Sequence, residues 1–367
     1  MELEVSIIVV NYRAAEFVLG CVDSILAGDA GGVEVIVVDN SSTQAETERL
    51  ETLANRGVKL IFNAGNPGFA KACNQGVNMS SGKYIMFLNP DTIVFDGCVR
   101  RLVDYLDSAR DAGAVGPRTW WDSARTIQLI QQHLPSPYLS IIESLSGLRY
   151  LHRTIDRAIL RRDYLYSSTT TPLSVQMLPG SAILTSRAIL QRVGLFDEDY
   201  PLYFEDSDWC RRLRQSGLNL YMVPDAQICH FYNQSARTDS GGASGKFAAS
   251  AERYMSRHHS PMSRLAATHI SRVANRLKAN SPLPGLIDLG IIGHSPIFSS
   301  NKAVSGRLLF QLSVNTAFLP SAIALAYKPE FQLPQEVWSY LCSGVYYARL
   351  VQLQPYKTLD MWQFIRE

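Results

Sequence analysis

The chain has 367 residues, 46% hydrophobic and 19% charged, with a formal net charge of +2. These values exclude a disordered or low-complexity chain and allow two or three domains with a sizeable core. The charge argues neither for nor against nucleic acid, so any basic surface must be local. Val5 to Val10 (VSIIVV) reads as a buried strand ending at Asn11-Tyr12-Arg13. Glu16 to Leu26 then carries apolar residues at helical spacing. Val33 to Val38 is a second strand, closing on Asp39-Asn40-Ser41-Ser42. Thr43 to Arg56 reads as helical and Val58 to Phe62 as a third strand. Asn66-Pro67-Gly68 leads into a helix over Phe69 to Asn78. Lys83 to Phe95 (KYIMFLNPDTIVF) follows, an apolar run that breaks at Asn89-Pro90-Asp91 because proline lacks an amide hydrogen and drives Asn89 out of the helical region. Strands alternating with helices at these spacings mean a parallel sheet with right-handed crossovers.

Polar residues punctuate the carboxyl ends of these strands, the edge where open α/β sheets bind ligands. Asp91, at the end of a central strand, is either part of an Asn-Pro-Asp turn or a hard oxygen ligand suited to Mg²⁺ or Mn²⁺ carrying phosphates. No GxGxxG follows the first strand and no GxxxxGK[ST] occurs, so neither dinucleotide nor P-loop chemistry is indicated. Six cysteines without a CxxC pair fit a reduced, cytoplasmic chain. The start, Met1 through two acids into a strand, does not read as a signal peptide. Leu308 to Tyr327 is long enough to span a bilayer. It is interrupted by Gln311, Asn315 and Pro320 and alternates like a strand, so no crossing is expected.

The blocks VSIIVVNYR, VIVVDNSS, NPGFAKACNQG, YIMFLNPD, LPGSAILTSRAIL, VGLFDEDYPLYFEDSDWCRRLRQSG and VPDAQICH occur in this order. Over residues 3 to 235 the chain resembles glycosyltransferase family 2, and most of all its bacterial rhamnosyltransferase branch. The resemblance implies an α/β GT-A fold (Rossmann-like, mostly parallel sheet), a nucleoside-diphosphate sugar donor, a divalent metal (Mn²⁺ or Mg²⁺) and inversion at the anomeric carbon. By position in those blocks, Asp91 and His230 are the implied metal ligands, with Asn89 standing where the family's first acidic residue falls. Asp206 is the implied catalytic base, with Glu205 beside it to orient or contact the acceptor. Asp208 is then the residue expected to cap the helix that follows. Asn11 and Asp39 match positions that contact the donor's base and ribose. Arg13, Asn66, Gly68, Lys71 and Asn74 are expected around the diphosphate, and Gly180 beneath the donor sugar. Each has a plainer reading as a solvated side chain, a turn or a helix cap.

Residues 118 to 175 are expected as a variable insertion facing acceptor or membrane. Trp120-Trp121 read either as an acceptor wall or as ordinary core and surface aromatics. Arg149, Arg153, Arg157 and Arg161 recur at helical spacing, which fits either peripheral contact with an anionic membrane or a solvated arginine face. The expected domains are a glycosyltransferase domain over 1–235, then loop, helix and linker over 236–285, with a flexible loop over Asn233 to Lys246, a helical stretch over Phe247 to Lys278 and a linker over Asn280 to Gly285. A small β-sandwich-like domain is expected over 286–367, its aromatics filling a core or binding glycan. Together these readings point to transfer of a sugar, L-rhamnose from dTDP-rhamnose first, to a lipid-linked or cell-surface glycan carried on a polyprenyl diphosphate. A UDP-sugar donor and a catalytically silent sugar-nucleotide-binding protein stand as rivals, and homodimerisation is left open.

Overall fold

The structure is a computed structural model and describes residues 4–28, 32–130, 133–146, 152–231, 240–279, 285–304 and 306–367. The chain opens with β1 (Val5–Asn11), α1 (Ala15–Ala27), β2 (Val33–Asp39), α2 (Gln44–Glu51), a single 3₁₀ turn, β3 (Lys59–Phe62), α3 (Phe69–Met79), β4 (Tyr84–Leu88) and β5 (Thr92–Val94). Then come α4 (Cys98–Ser108), β6 (Ala112–Trp120), β7 (Gln128–Ile130), α5 (Pro137–Ser146), α6 (His152–Ser168), β8 (Leu173–Val175), β9 (Ala182–Ser186), α7 (Arg187–Val193), α8 (Glu205–Gln215) and β10 (Asn219–His230). The remainder is α9 (Ser240–His258), α10 (Pro261–Ala279), β11 (Leu286–Ile292), β12 (Ile297–Ser299), β13 (Leu308–Ser313), β14 (Ser321–Ala326), β15 (Glu330–Gln332), α11 (Gln335–Tyr340), β16 (Gly344–Leu353) and β17 (Tyr356–Arg366).

Two compact units result, and each takes several pieces of the chain. The first comprises Met1–Trp120, Gln132–Leu134 and Thr170–Tyr254; the second comprises Trp121–Gln131, Pro135–Thr169 and Met255–Glu367. The first unit is a mixed, mostly parallel sheet in the order β6-β9-β4-β1-β2-β3. β1 runs parallel to both β2 and β4, and β2 to β3. β9 is antiparallel to β4, and β10 lies parallel to β6 while pairing antiparallel with β5 and β8. β1 and β4 are buried along their whole length, as apolar runs in the middle of a sheet covered on both faces must be. Asn11 sits opposite Asp39, so the polar residues ending β1 and β2 share one edge.

In the second unit the sheet order is β11-β17-β16-β13-β14-β7, antiparallel except for the β11–β17 pair. The period-two pattern of β13 divides its residues between two faces. Leu308, Phe310 and Leu312 join an aromatic core with Phe298, Phe331, Trp338, Trp362 and Phe364. Gln311 points the other way and is also fully buried, among Asp163, Ser321 and Arg349. Arg349 lies across the ladder from Gln311, and its guanidinium reaches Asp156 on α6 at 2.5 Å and stacks over Phe318. A buried arginine is tolerated only because carboxylate, amide and ring meet it together.

Three expectations change. The C-terminal region is one sheet plus the small β12–β15 pair, not a sandwich of two comparable sheets. The stretch expected as an insertion supplies β7, α5 and α6 to the second unit, because β7 pairs with β14 and α6 carries the acids that neutralise Arg349. The helical stretch over 247–278 is two helices, since Pro261 opens a new one at its first position, where a missing amide costs nothing. Of the expected flexible loop, 233–239 lies outside the described residues, and α9 already begins at Ser240; 280–284 of the expected linker also lies outside them. No helix among the described residues is long and apolar enough to cross a membrane.

Candidate functional site

The first unit gathers polar residues where β1, β2 and β4 end. The Asn11 amide donates to Asp39 Oδ1 at 2.8 Å, to Ser41 Oγ at 3.1 Å and to Glu46 Oε2 at 2.9 Å. Glu46 also accepts from the Ala15 amide at the start of α1, and Asp39 Oδ1 from the Ser41 amide. Asn11 and Asp39 are thus fixed as a buried, hydrogen-bonded pair. Arg13 takes a left-handed conformation at φ 54°, and its amide donates to Ser41 Oγ, leaving its side chain exposed. Sequence reasoning missed Ser41 and Glu46. Thr43-Gln44-Ala45-Glu46 has the spacing of a capping box, but Thr43 makes no side-chain cap and Glu46 turns to β1 instead.

At the end of β4 a second group converges. His230 Nε2 lies 3.1 Å from Asp91 Oδ1 and 3.3 Å from Asn89 Nδ2. The antiparallel pairing of His230 with Thr92 and the Phe231 amide bound to the Asp91 carbonyl set this approach. Asp91 and His230 are both buried. One oxygen and one imidazole nitrogen in contact form a donor pair that fits a divalent ion, although no group of three or more His, Cys, Asp or Glu occurs among the described residues.

The third group forms at the start of α8. Asp206 Oδ2 accepts from the Gly180 amide at 2.8 Å, and its Oδ1 from the Ser207 amide at 2.6 Å. Burial raises the Asp206 carboxyl above its usual range, and these two amides pull it back. Its neighbour Glu205 is buried, with Oε2 finding no partner among the described residues. Burial first, and the Asp206 charge second, push Glu205 up to about 8. Glu205 is thus biased towards its protonated form beside a half-buried, ionisable Asp206. Tyr203 and Phe204 precede them at φ 62° and 71°, a strained pair of the kind that accumulates at working sites.

Other expected site residues have different surroundings. Asn66 Oδ1 accepts from the Gly68 amide, and Gly68 enters α3 at φ 99°, a conformation that favours glycine. Lys71 is exposed on the first turn of that helix. Asn74 is not turned to a donor: its amide donates to the Phe196 carbonyl and to Glu198, and its oxygen accepts from the Phe196 amide, so it anchors the loop before α8. Asp208 does not cap α8; it is paired with Arg212 at 2.7 Å and accepts from Tyr200. Trp121 is no acceptor wall, because it is buried in the aromatic core of the second unit. Trp120, half-buried in the first unit, donates to Gln227. Arg157 and Arg161 are exposed on α6, whereas Arg149 and the Arg153 side chain lie outside the described residues.

The family model described as "Glycosyl transferase family 2" matches residues 6–169. That segment belongs to glycosyl transferase family 2. Curated relatives include a low-salt glycan biosynthesis hexosyltransferase of Haloferax volcanii, 22% identical over 59% of this chain and 64% of the relative. A dTDP-rhamnosyl transferase of Shigella flexneri is 25% identical over 53% of this chain and 59% of the relative. An N-acetylglucosaminyl-diphospho-decaprenol L-rhamnosyltransferase of Mycobacterium tuberculosis is 27% identical over 56% and 69% respectively. The chain therefore spans under two thirds of the length of the first two. Among solved structures, GalNAc-T7 with UDP, GalNAc and Mn²⁺ is similar at a TM-score of 0.48 and 16% identity, over 63% of this chain and 43% of that one.

Proposed function

We propose that the chain is an inverting glycosyltransferase that moves a hexose, L-rhamnose from dTDP-rhamnose first, onto a hydroxyl of a lipid-linked or surface glycan. The observation that carries this reading is the α8 entrance: a carboxylate held by two amides, with a lifted pKa, beside a second acid biased towards its protonated form. An alcohol is far too weak an acid to attack unaided, and a carboxylate with a raised pKa in a partly dry site is the base that step needs. The acceptor O–H gives its proton to Asp206 as its oxygen bonds to the sugar's anomeric carbon. The bond from that carbon to the nucleoside diphosphate breaks, and the diphosphate leaves with the electron pair from the opposite face, which inverts the centre. Glu205, protonated, donates a hydrogen bond to a sugar oxygen and fixes the acceptor's approach. Asn11 and Asp39 hold the base and ribose, while Arg13, Asn66, Gly68 and Lys71 line the diphosphate. Asn89 lies beside it, and Gly180 lets the donor sugar come close. Asp91 and His230 would hold a divalent metal, which when bound would supply positive charge beside the leaving diphosphate. The rhamnosyltransferase relatives support rhamnose as the sugar.

The test is donor hydrolysis and transfer by the purified protein, with dTDP-rhamnose and UDP-sugars compared in Mn²⁺, Mg²⁺ or EDTA. Turnover of one donor that stops in EDTA, in Asp91→Ala and in Asp206→Asn is the expected result. Absence of any nucleotide binding, even with metal, would hand the site to the rival reading of a silent binding module.

A further inference from the structure

Helix α10 is built the wrong way round for a helix of a free-standing soluble protein. Such a helix normally turns its large apolar residues inward. Here the residues buried against the second unit are small, Ala267 at 5% and Ala274 at 1% exposure, and Ser271 reaches the Ser140 carbonyl of α5. Over the rest of the helix Met262 is 81% exposed, Leu265 70%, Leu277 53%, Val273 44% and Ile270 37%. At about 100° per residue these five fall within a broad arc of about 140°, in which His269 and Arg276 are exposed as well. The sequence of α10, PMSRLAATHISRVANRLKA, holds four cations and no acid. Arg276 is exposed inside this arc and Arg272 at its edge, beside Leu265.

We propose that α10 is a membrane-docking helix, its exposed Met262, Leu265, Ile270, Val273 and Leu277 seated in the interface of a bilayer rich in anionic lipid. The charge pattern selects this occupant. A helix whose exposed face mixes large apolar side chains with arginines and holds no acid is matched by acyl chains below and anionic headgroups around it. A second copy of the chain is disfavoured, because a two-fold contact between α10 helices would bring like charges together with no acid on either side. The exposed Arg157 and Arg161 of α6, in the same unit, add charge of the same sign. The inference does not rest on the proposed reaction, although docking would bring the chain to a lipid-carried acceptor.

The experiment uses the full chain in co-flotation with vesicles of phosphatidylcholine alone and of phosphatidylcholine mixed with phosphatidylglycerol. Binding is expected to the mixed vesicles only and to weaken as salt is raised. Leu265→Glu with Val273→Glu should abolish it. Arg272→Gln with Arg276→Gln should weaken it roughly 30-fold, at about fivefold for each charge. Both pairs change exposed side chains, so melting temperature and hydrolysis of a soluble donor should stay unchanged. That keeps failure of docking distinguishable from failure of the enzyme reading. Equal binding to both vesicle types, or binding that survives Leu265→Glu with Val273→Glu, overturns the proposal. So does light scattering that finds a dimer dissolved by that pair in a chain that ignores vesicles, since that face then belongs to a second copy.

Discussion

Gly180 has no side chain to spare for its place beside Asp206. A Cβ there would stand 3.3 Å from Asp206 Oδ2 and 3.4 Å from Asp206 Cβ, tighter than the carboxylate can accept without moving. Gly180→Ala is therefore expected to lower kcat by about ten- to a hundredfold through displacement of the base, with melting temperature little changed and any loss of donor affinity smaller than the loss in kcat. Single-turnover kinetics and donor titration would separate these effects. A second prediction concerns the proton on Glu205. Its carboxyl is raised from 4.5 to about 8, so across that window the folded chain keeps a proton that the unfolded chain releases. The stability linked to that proton is fully present below 4.5 and lost as pH climbs towards about 8. Melting temperature should fall with rising pH over this range in the wild type, and Glu205→Gln should flatten the fall. An unchanged slope in the variant would count against a protonated Glu205.

At the scale of elements, the strained entry to α8 is braced by α9. Arg253 reaches Asp199 at 2.5 Å and Asp197 at 3.3 Å and lies over the Tyr200 ring. Phe204 packs against Phe247 and Tyr254, and the Leu202 amide donates to Ser250. Two left-handed residues in succession persist only where neighbours hold them. Arg253→Ala should therefore loosen the loop that presents Glu205 and Asp206. The expected outcome is a kcat reduced about tenfold at unchanged donor affinity, largely restored in Arg253→Lys. A rise in KM alone would mean that Arg253 serves binding and not positioning. None of this bracing was legible in the sequence, because it depends on residues about fifty positions apart with no shared periodicity. The strands from β1 to β4 were legible, since each is a short apolar run closed by a polar or proline stop. The convergence of Asn89, Asp91 and His230 was foreshadowed only by resemblance. Local pattern gave no means of placing Trp121 in the second unit's core, because adjacent strand residues face opposite ways and one of them crosses into another unit.

At the scale of the molecule, the second unit is stapled by polar contacts between distant parts of the chain. Asp163 is fully buried, and burial raises its carboxyl above the usual range against the pull of Arg162, Ser321 and Arg349. Arg349→Ala leaves Asp156 without its guanidinium, removes a nearby positive charge from Asp163 and opens a hole over Phe318. A loss of about 3–5 kcal/mol is expected, read by urea denaturation, enough to unfold a marginal unit. Ending the chain after residue 254 should leave β7 without β14, and α6 without Arg349, Gln311 and Ser321, so insoluble protein is the expected product. The same arrangement bears on synthesis. Asp156 and Arg349 stand 193 residues apart, so the ribosome releases an acid-bearing helix and an unpaired strand long before their partners exist. At about 5–20 residues per second, that interval lasts on the order of ten seconds or more, during which the nascent chain shows a sticky edge to everything around it. The unit has high contact order and closes only with the last strands, so its yield in the cell should track the supply of chaperones more than its final stability does.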